Sequence, residues 1–217
     1  MRKRTAVLAA SVMVGLAVMA CGGPAGAQSA KPSLDAILKG GAAGADDLRK
    51  IEESLSFPDP DTRIATLNAI LASGEPSYIA KAMEVSLLSD DPRLRETALR
   101  GKFETGGNYR VEVDLSESSK ETTDAAGWLR QNGGSISTDG ASGLMNVPLG
   151  EYYEASHCWR HLSWNRCAFS LAGEQVFFSS RSNAEGQLRL DETGTLVGSL
   201  LVGGKGTPVP IRIPLVQ

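Results

Sequence analysis

Apolar positions recur at three- and four-residue spacing between residues 46 and 104, and beyond residue 105 they alternate with polar ones. That single change of period predicts helices followed by strands. Leu48, Ile51 and Leu55 predict a helix closed by Phe57-Pro58. Asp59 stands where an N-cap belongs and Pro60 where a first-turn proline is tolerated. Ile64, Leu67, Ile70 and Leu71 follow on one face until Ser73-Gly74. Ser77 predicts the start of another helix with Ile79, Met83, Leu87 and Leu88 inward, and Asp91-Pro92 repeats the cap-and-proline start before Leu94, Ala98 and Leu99. Upstream, Ser33 predicts the cap of a short helix carrying Leu34, Ile37 and Leu38, ended by Gly40-Gly41.

In the second half, Tyr109, Val111, Val113 and Leu115 alternate with Arg110, Glu112 and Asp114, the mark of a half-buried strand. Residues 116–122 read as a polar loop, and 124–130 as one or two helical turns with Trp128 and Leu129, closed by Asn132-Gly133-Gly134. A strand over 144–149 leads to Glu151-Tyr152-Tyr153. Ala172-Gly173-Glu174 and Asp191-Glu192-Thr193-Gly194 are turn signals between further strands. After a turn at Gly203-Gly204-Lys205-Gly206, Val209, Ile211, Ile213 and Leu215 alternate with Pro210, Arg212 and Pro214. Prolines at every second or fourth position remove ladder donors, which predicts an edge strand with its prolines turned away from its neighbour.

Two helix starts superpose at an offset of 32 residues: DPDTRIATL at 59–67 and DPRLRETAL at 91–99. Asp59, Pro60, Arg63 and Leu67 align with Asp91, Pro92, Arg95 and Leu99, a period that signals helix-pair repeats. Over residues 46–104 the stretch resembles HEAT-type repeats, particularly the short bacterial variety that starts with an Asp-Pro pair and an arginine shortly after it. The resemblance implies that Arg63 and Arg95 bridge neighbouring repeats, a structural duty rather than a catalytic one. Two repeats bury too little core alone, so the following domain is expected to cover one face.

The first residues read as an export signal. Arg2, Lys3 and Arg4 precede an apolar run from Ala6 to Ala20, too short and Ala-rich for a membrane span. Two exits compete. Ala25-Gly26-Ala27 fits signal-peptide cleavage after residue 27, whereas Val18-Met19-Ala20-Cys21 fits lipoprotein processing after residue 20 with lipidation of Cys21. Either route predicts a periplasmic or cell-envelope location, with no transmembrane helix in the mature chain and any anchor a lipid one. Residues 28–45 then hold a tether and the short helix, 46–104 the helical domain and 105–217 the β domain. The net charge of −3 becomes −6 without the three leader cations. Such a chain lacks the cationic surface that binding nucleic acid demands.

Candidate chemistry concentrates in CWRHLSWNRC, residues 158–167, which with His157 holds both histidines and two of the three tryptophans. In an oxidising compartment Cys158 and Cys167 are expected to form a disulfide. The competing reading is a zinc or copper site from His157, Cys158, His161 and Cys167, although H-C-x2-H-x5-C matches no recognised structural zinc spacing. For His161 the plain structural reading is a partly buried ring donating to a backbone carbonyl; for Trp159 and Trp164 it is core packing. The functional reading makes Tyr152, Tyr153, Trp159, Arg160, His161, Trp164 and Arg166 a ligand surface. Its aromatic faces stack on sugars or side chains, and its guanidinium groups pair with carboxylate or phosphate.

No G-x-S-x-G, H-E-x-x-H or phosphate loop between strand and helix is present. The expectation is therefore an α+β protein: antiparallel helical hairpins followed by a small antiparallel β domain with one disulfide. It is read as a non-enzymatic binding or scaffold module that contacts an envelope protein or glycan through the Trp- and Arg-rich disulfide loop or the helical face, with no catalytic residues, metal or cofactor. The alternative is a hydrolase or metal-dependent enzyme using His157 and His161. As a serine hydrolase it would need a serine and an acid that spacing alone does not identify.

Overall fold

The computed structural model describes residues 34–117, 119–204 and 208–216. The expected leader, Cys21 and most of the tether lie outside the described residues. The chain divides into Met1–Lys39 and Gly40–Gln217. Of the first unit only the opening of one helix is described; the second holds every other element. No helix among the described residues is long and apolar enough to cross a membrane.

Helix α1 runs unbroken over Leu34–Leu55, where a stop was expected at Gly40-Gly41. A glycine ends a helix by turning left-handed, and neither Gly40 nor Gly41 has a positive φ. The intervening residues therefore extend the helix rather than forming a separate tether. Helix α2 (Pro60–Ser73) is capped by the Asp59 carboxylate, which accepts from Thr62 N–H at 2.8 Å, and ends at left-handed Gly74. Helix α3 (Pro76–Leu87) starts at Pro76 rather than at Ser77, with Glu75 in the cap position and no side-chain cap bond. Helix α4 (Pro92–Glu104) is capped by Asp91, which accepts from Arg93 N–H at 2.9 Å. Leu67, Met83, Leu87, Leu94, Ala98, Leu99 and Phe103 are buried, whereas Leu88, expected inward, is exposed.

The strands that follow are β1 (Gly107–Asp114), β2 (Ser135–Ile136), β3 (Ser142–Tyr153), β4 (Cys158–His161), β5 (Cys167–Ala172), β6 (Gln175–Ser179), β7 (Ala184–Leu190), β8 (Thr195–Val202) and β9 (Val209–Pro214). From β3 to β9 each pairs antiparallel with the next; β9 pairs with β1, and β1 with β3. Eight strands thus close into a ring, with β2 appended to β3. Closure removes the exposed edges that an open sheet would present.

Strand β9 is therefore not an edge. Leu215 N–H donates to Gly194 O on the β8 side, so the alternating N–H groups of Ile213 and Ile211 also face β8. Those of Pro210, Arg212 and Pro214 would face β1. Both prolines lack that donor, and the β1–β9 register is confined to Glu112 with Arg212 and Val113 with Ile211. The prolines do turn away from β8, but towards a second partner.

Helix α5 (Lys120–Gln131) begins inside the stretch expected as loop. Ser119 accepts from Thr122 N–H while Thr122 Oγ1 accepts from Ser119 N–H, a reciprocal cap written in Ser and Thr rather than Ser and Glu.

Inward-facing residues fill the ring, among them Val111, Val147, Trp159, Phe169, Phe178, Leu188 and Ile211, all buried. Helices enter the same core. Phe103 from the last turn of α4 lies 5.1 to 5.3 Å, ring to ring, from Trp159, Phe169 and Tyr109. The Tyr109 hydroxyl donates to Lys102 O at 2.6 Å, and burial raises its pKa. Trp128 of α5 meets Phe178 edge-on and donates from Nε1 to Ser180 Oγ at 3.0 Å. One apolar cluster runs from Ile51 to Leu215 through helices and strands alike.

Candidate functional site

Strands β4 and β5 form a hairpin whose loop spans residues 162–166. Cys158 and Cys167 lie on opposite strands of it, joined as a disulfide with Cα atoms 5.6 Å apart. The register slips between Trp159 and Arg160, so Arg160 stands opposite Cys167. Alternation along β4 separates the predicted surface into two sets.

The inward set is Trp159, His161 and Tyr152. Trp159 is 1% exposed and packs on Phe103 and on Tyr152, 5.0 Å away ring to ring. His161 is buried, with its ring stacked on Trp164 at 3.6 Å between centroids and 2° between planes. Ser163 N–H donates to His161 Nδ1 at 3.0 Å, which assigns the proton of the neutral ring to Nε2. Desolvation lowers the His161 pKa. The imidazole thus accepts from the backbone, where donation to a carbonyl was expected. Trp159 offers its indole to the core and no face to a ligand.

The outward set is Tyr153, Arg160, Leu162, Asn165 and Arg166, with Trp164 half-buried at its border. Arg160 Cζ sits 3.4 Å from the centroid of the Tyr153 ring, a cation–π contact. Its Nη1 donates to Asn165 Oδ1 at 3.1 Å. Asn165 reaches that position from a left-handed φ of 50°, which asparagine tolerates better than most residues. Neither Arg160 nor Arg166 forms an ion pair with a described residue. Leu162 is 68% exposed; a Cβ at Gly150 would lie 3.3 Å from its Cδ2, so the glycine leaves room for that side chain on β3.

Leu162, Asn165 and Gly150 were not among the residues expected to form the surface. The signal for Leu162 was legible as a lone leucine between polar neighbours at a hairpin tip. Gly150 carried none.

His157 is exposed and left-handed, with Nδ1 3.4 Å from the Tyr152 hydroxyl. The disulfide withholds both thiolates from a metal, and among the described residues no group of three His, Cys, Asp or Glu side chains is placed to hold one. No protein family, curated protein or solved structure matches this chain.

Proposed function

We propose that this is an exported cell-envelope protein that binds a carboxylate-bearing partner, protein or acidic glycan, on the outer face of β3, β4 and β5. The observation that carries the reading is the Arg160 guanidinium, held between the Tyr153 ring and Asn165 without an ion pair to a described residue. A cation fixed on two sides loses little freedom when a carboxylate arrives, so more of the contact energy appears as affinity. Arg166 adds a second cation without an ion pair to a described residue, and Leu162 an apolar contact beside them. The disulfide braces the hairpin and suits an oxidising compartment.

The helical layer, which resembles HEAT-type repeats at its two D-P-x-x-R starts, supports the hairpin from behind. Phe103 packs directly on Trp159, whose strand carries Arg160. The ring interior is occupied by its own aromatic residues, which directs recognition to the outside.

The test is a photo-crosslinking amino acid in place of Leu162 in cells, with the same substitution at exposed Gln187 as the control position. A discrete adduct at 162 that disappears in Arg160→Met supports the reading, and protease or glycosidase digestion of the adduct identifies the partner class. Labelling no different from position 187, or unaffected by Arg160→Met, overturns it.

A further inference from the structure

A groove of about 710 Å³ opens between α1, α3, α4 and the chain after β9, away from the disulfide hairpin. Its apolar wall comes from Leu48, Ile79, Ala80, Met83, Leu215 and Val216, and its size lies within the range of small-molecule sites. The charged lining residues are Lys81, Glu84 and Lys102. Lys81 is already neutralised, by Glu52 at 3.3 Å and Glu84 at 3.7 Å. Lys102 is half-buried and forms no ion pair with a described residue. An uncompensated ammonium beside an apolar wall is unfavourable unless an anion completes it. Burial already lowers its pKa.

We propose that this groove binds a single-chain amphiphile with an anionic head, its acyl chain along Ile79, Met83 and Leu215 and its carboxylate on Lys102. Ala80 is exposed at the rim, so a larger side chain there blocks entry without entering the core. The site makes no use of the Arg160 surface, and the two readings stand or fall separately.

The experiment titrates the full-length chain with decanoate and with 1-decanol by calorimetry. Wild type is expected to bind decanoate one to one. Lys102→Met, which keeps an apolar stem, should weaken decanoate by about tenfold, as loss of one charge-assisted contact does, and leave decanol unchanged. Ala80→Trp should abolish both while thermal unfolding stays as in wild type. Absence of decanoate binding to wild type, or equal binding by Lys102→Met, overturns the proposal. So does undiminished binding by a folded Ala80→Trp.

Discussion

Arg95 on α4 donates to Glu174 in the β5–β6 turn, and the barrel thereby occupies the place that a further helix start would take. The equivalent Arg63 meets Asp91, the cap of α4, at 2.7 Å, with the two side chains only 19% and 10% exposed. The same residue of each start thus makes one joint within the helical layer and one to the strands. These joints differ in depth. Asp91→Ala removes both the shielded ion pair and a helix cap and is expected to destabilise by about 3 kcal/mol. Glu174→Gln, at a wetter joint, should lower stability by under ~1 kcal/mol and less at high salt. Urea midpoints in low and high salt check both; equal losses would contradict the ordering.

Phe103 is a contact between the layers that no salt can screen. Its ring touches Tyr109, Trp159 and Phe169, one residue from each of three strands. Phe103→Ala should destabilise by about 3–5 kcal/mol, and Phe103→Leu by less than half of that. Loss of near-ultraviolet circular dichroism alongside the shift in midpoint would report the disturbed Trp159.

Reduction of Cys158–Cys167 is expected to cost about 2.5–3 kcal/mol on the loop-entropy account. The double replacement by alanine should reproduce it and lose its sensitivity to dithiothreitol. A midpoint unchanged by reductant in the wild type would count against a structural role for the bond.

His161 makes stability depend on pH in a defined direction. Its folded pKa is lowered from 6.5 by burial, so the unfolded chain takes up the proton first. The histidine's contribution is therefore complete above pH 6.5 and is lost as pH falls below it. Protonation also puts a hydrogen on Nδ1, where Ser163 N–H now donates. Melting temperatures at pH 7.5 and 5.0 should fall apart in wild type and converge in His161→Gln.

The helix starts were legible because each aspartate-proline pair precedes apolar residues at helical spacing: Asp59 and Asp91 both cap as the sequence implied. The disulfide followed from two nearby cysteines in a chain that opens like an export signal. The ring did not, because closure depends on which strands meet. The sequence of β9 states only that two donors are missing, and it is silent on whether a strand lies on that side. The unbroken α1 was hidden for a related reason, since glycine permits a left-handed stop without compelling one. At the candidate site, Arg160 and Tyr153 could be named but not paired. Alternation puts Trp159 and Arg160 on opposite faces of β4, but what each meets depends on the register of β4 with β3 and β5, which slips on both sides. Alternation by itself cannot reveal a one-residue slip.

The proline-bearing seam between β1 and β9 sets an order of assembly. Glu112 pairs with Arg212, 100 positions further along, and contacts of such span form late because so much chain must be drawn together first. The hairpins from β3 to β8 can anneal neighbour by neighbour as the polypeptide emerges, while β1 waits unzipped on one side. With two of its N–H groups deleted, that last joint offers little reward for closing, so amide exchange at Glu112 and Arg212 should open there before the rest of the wall gives way.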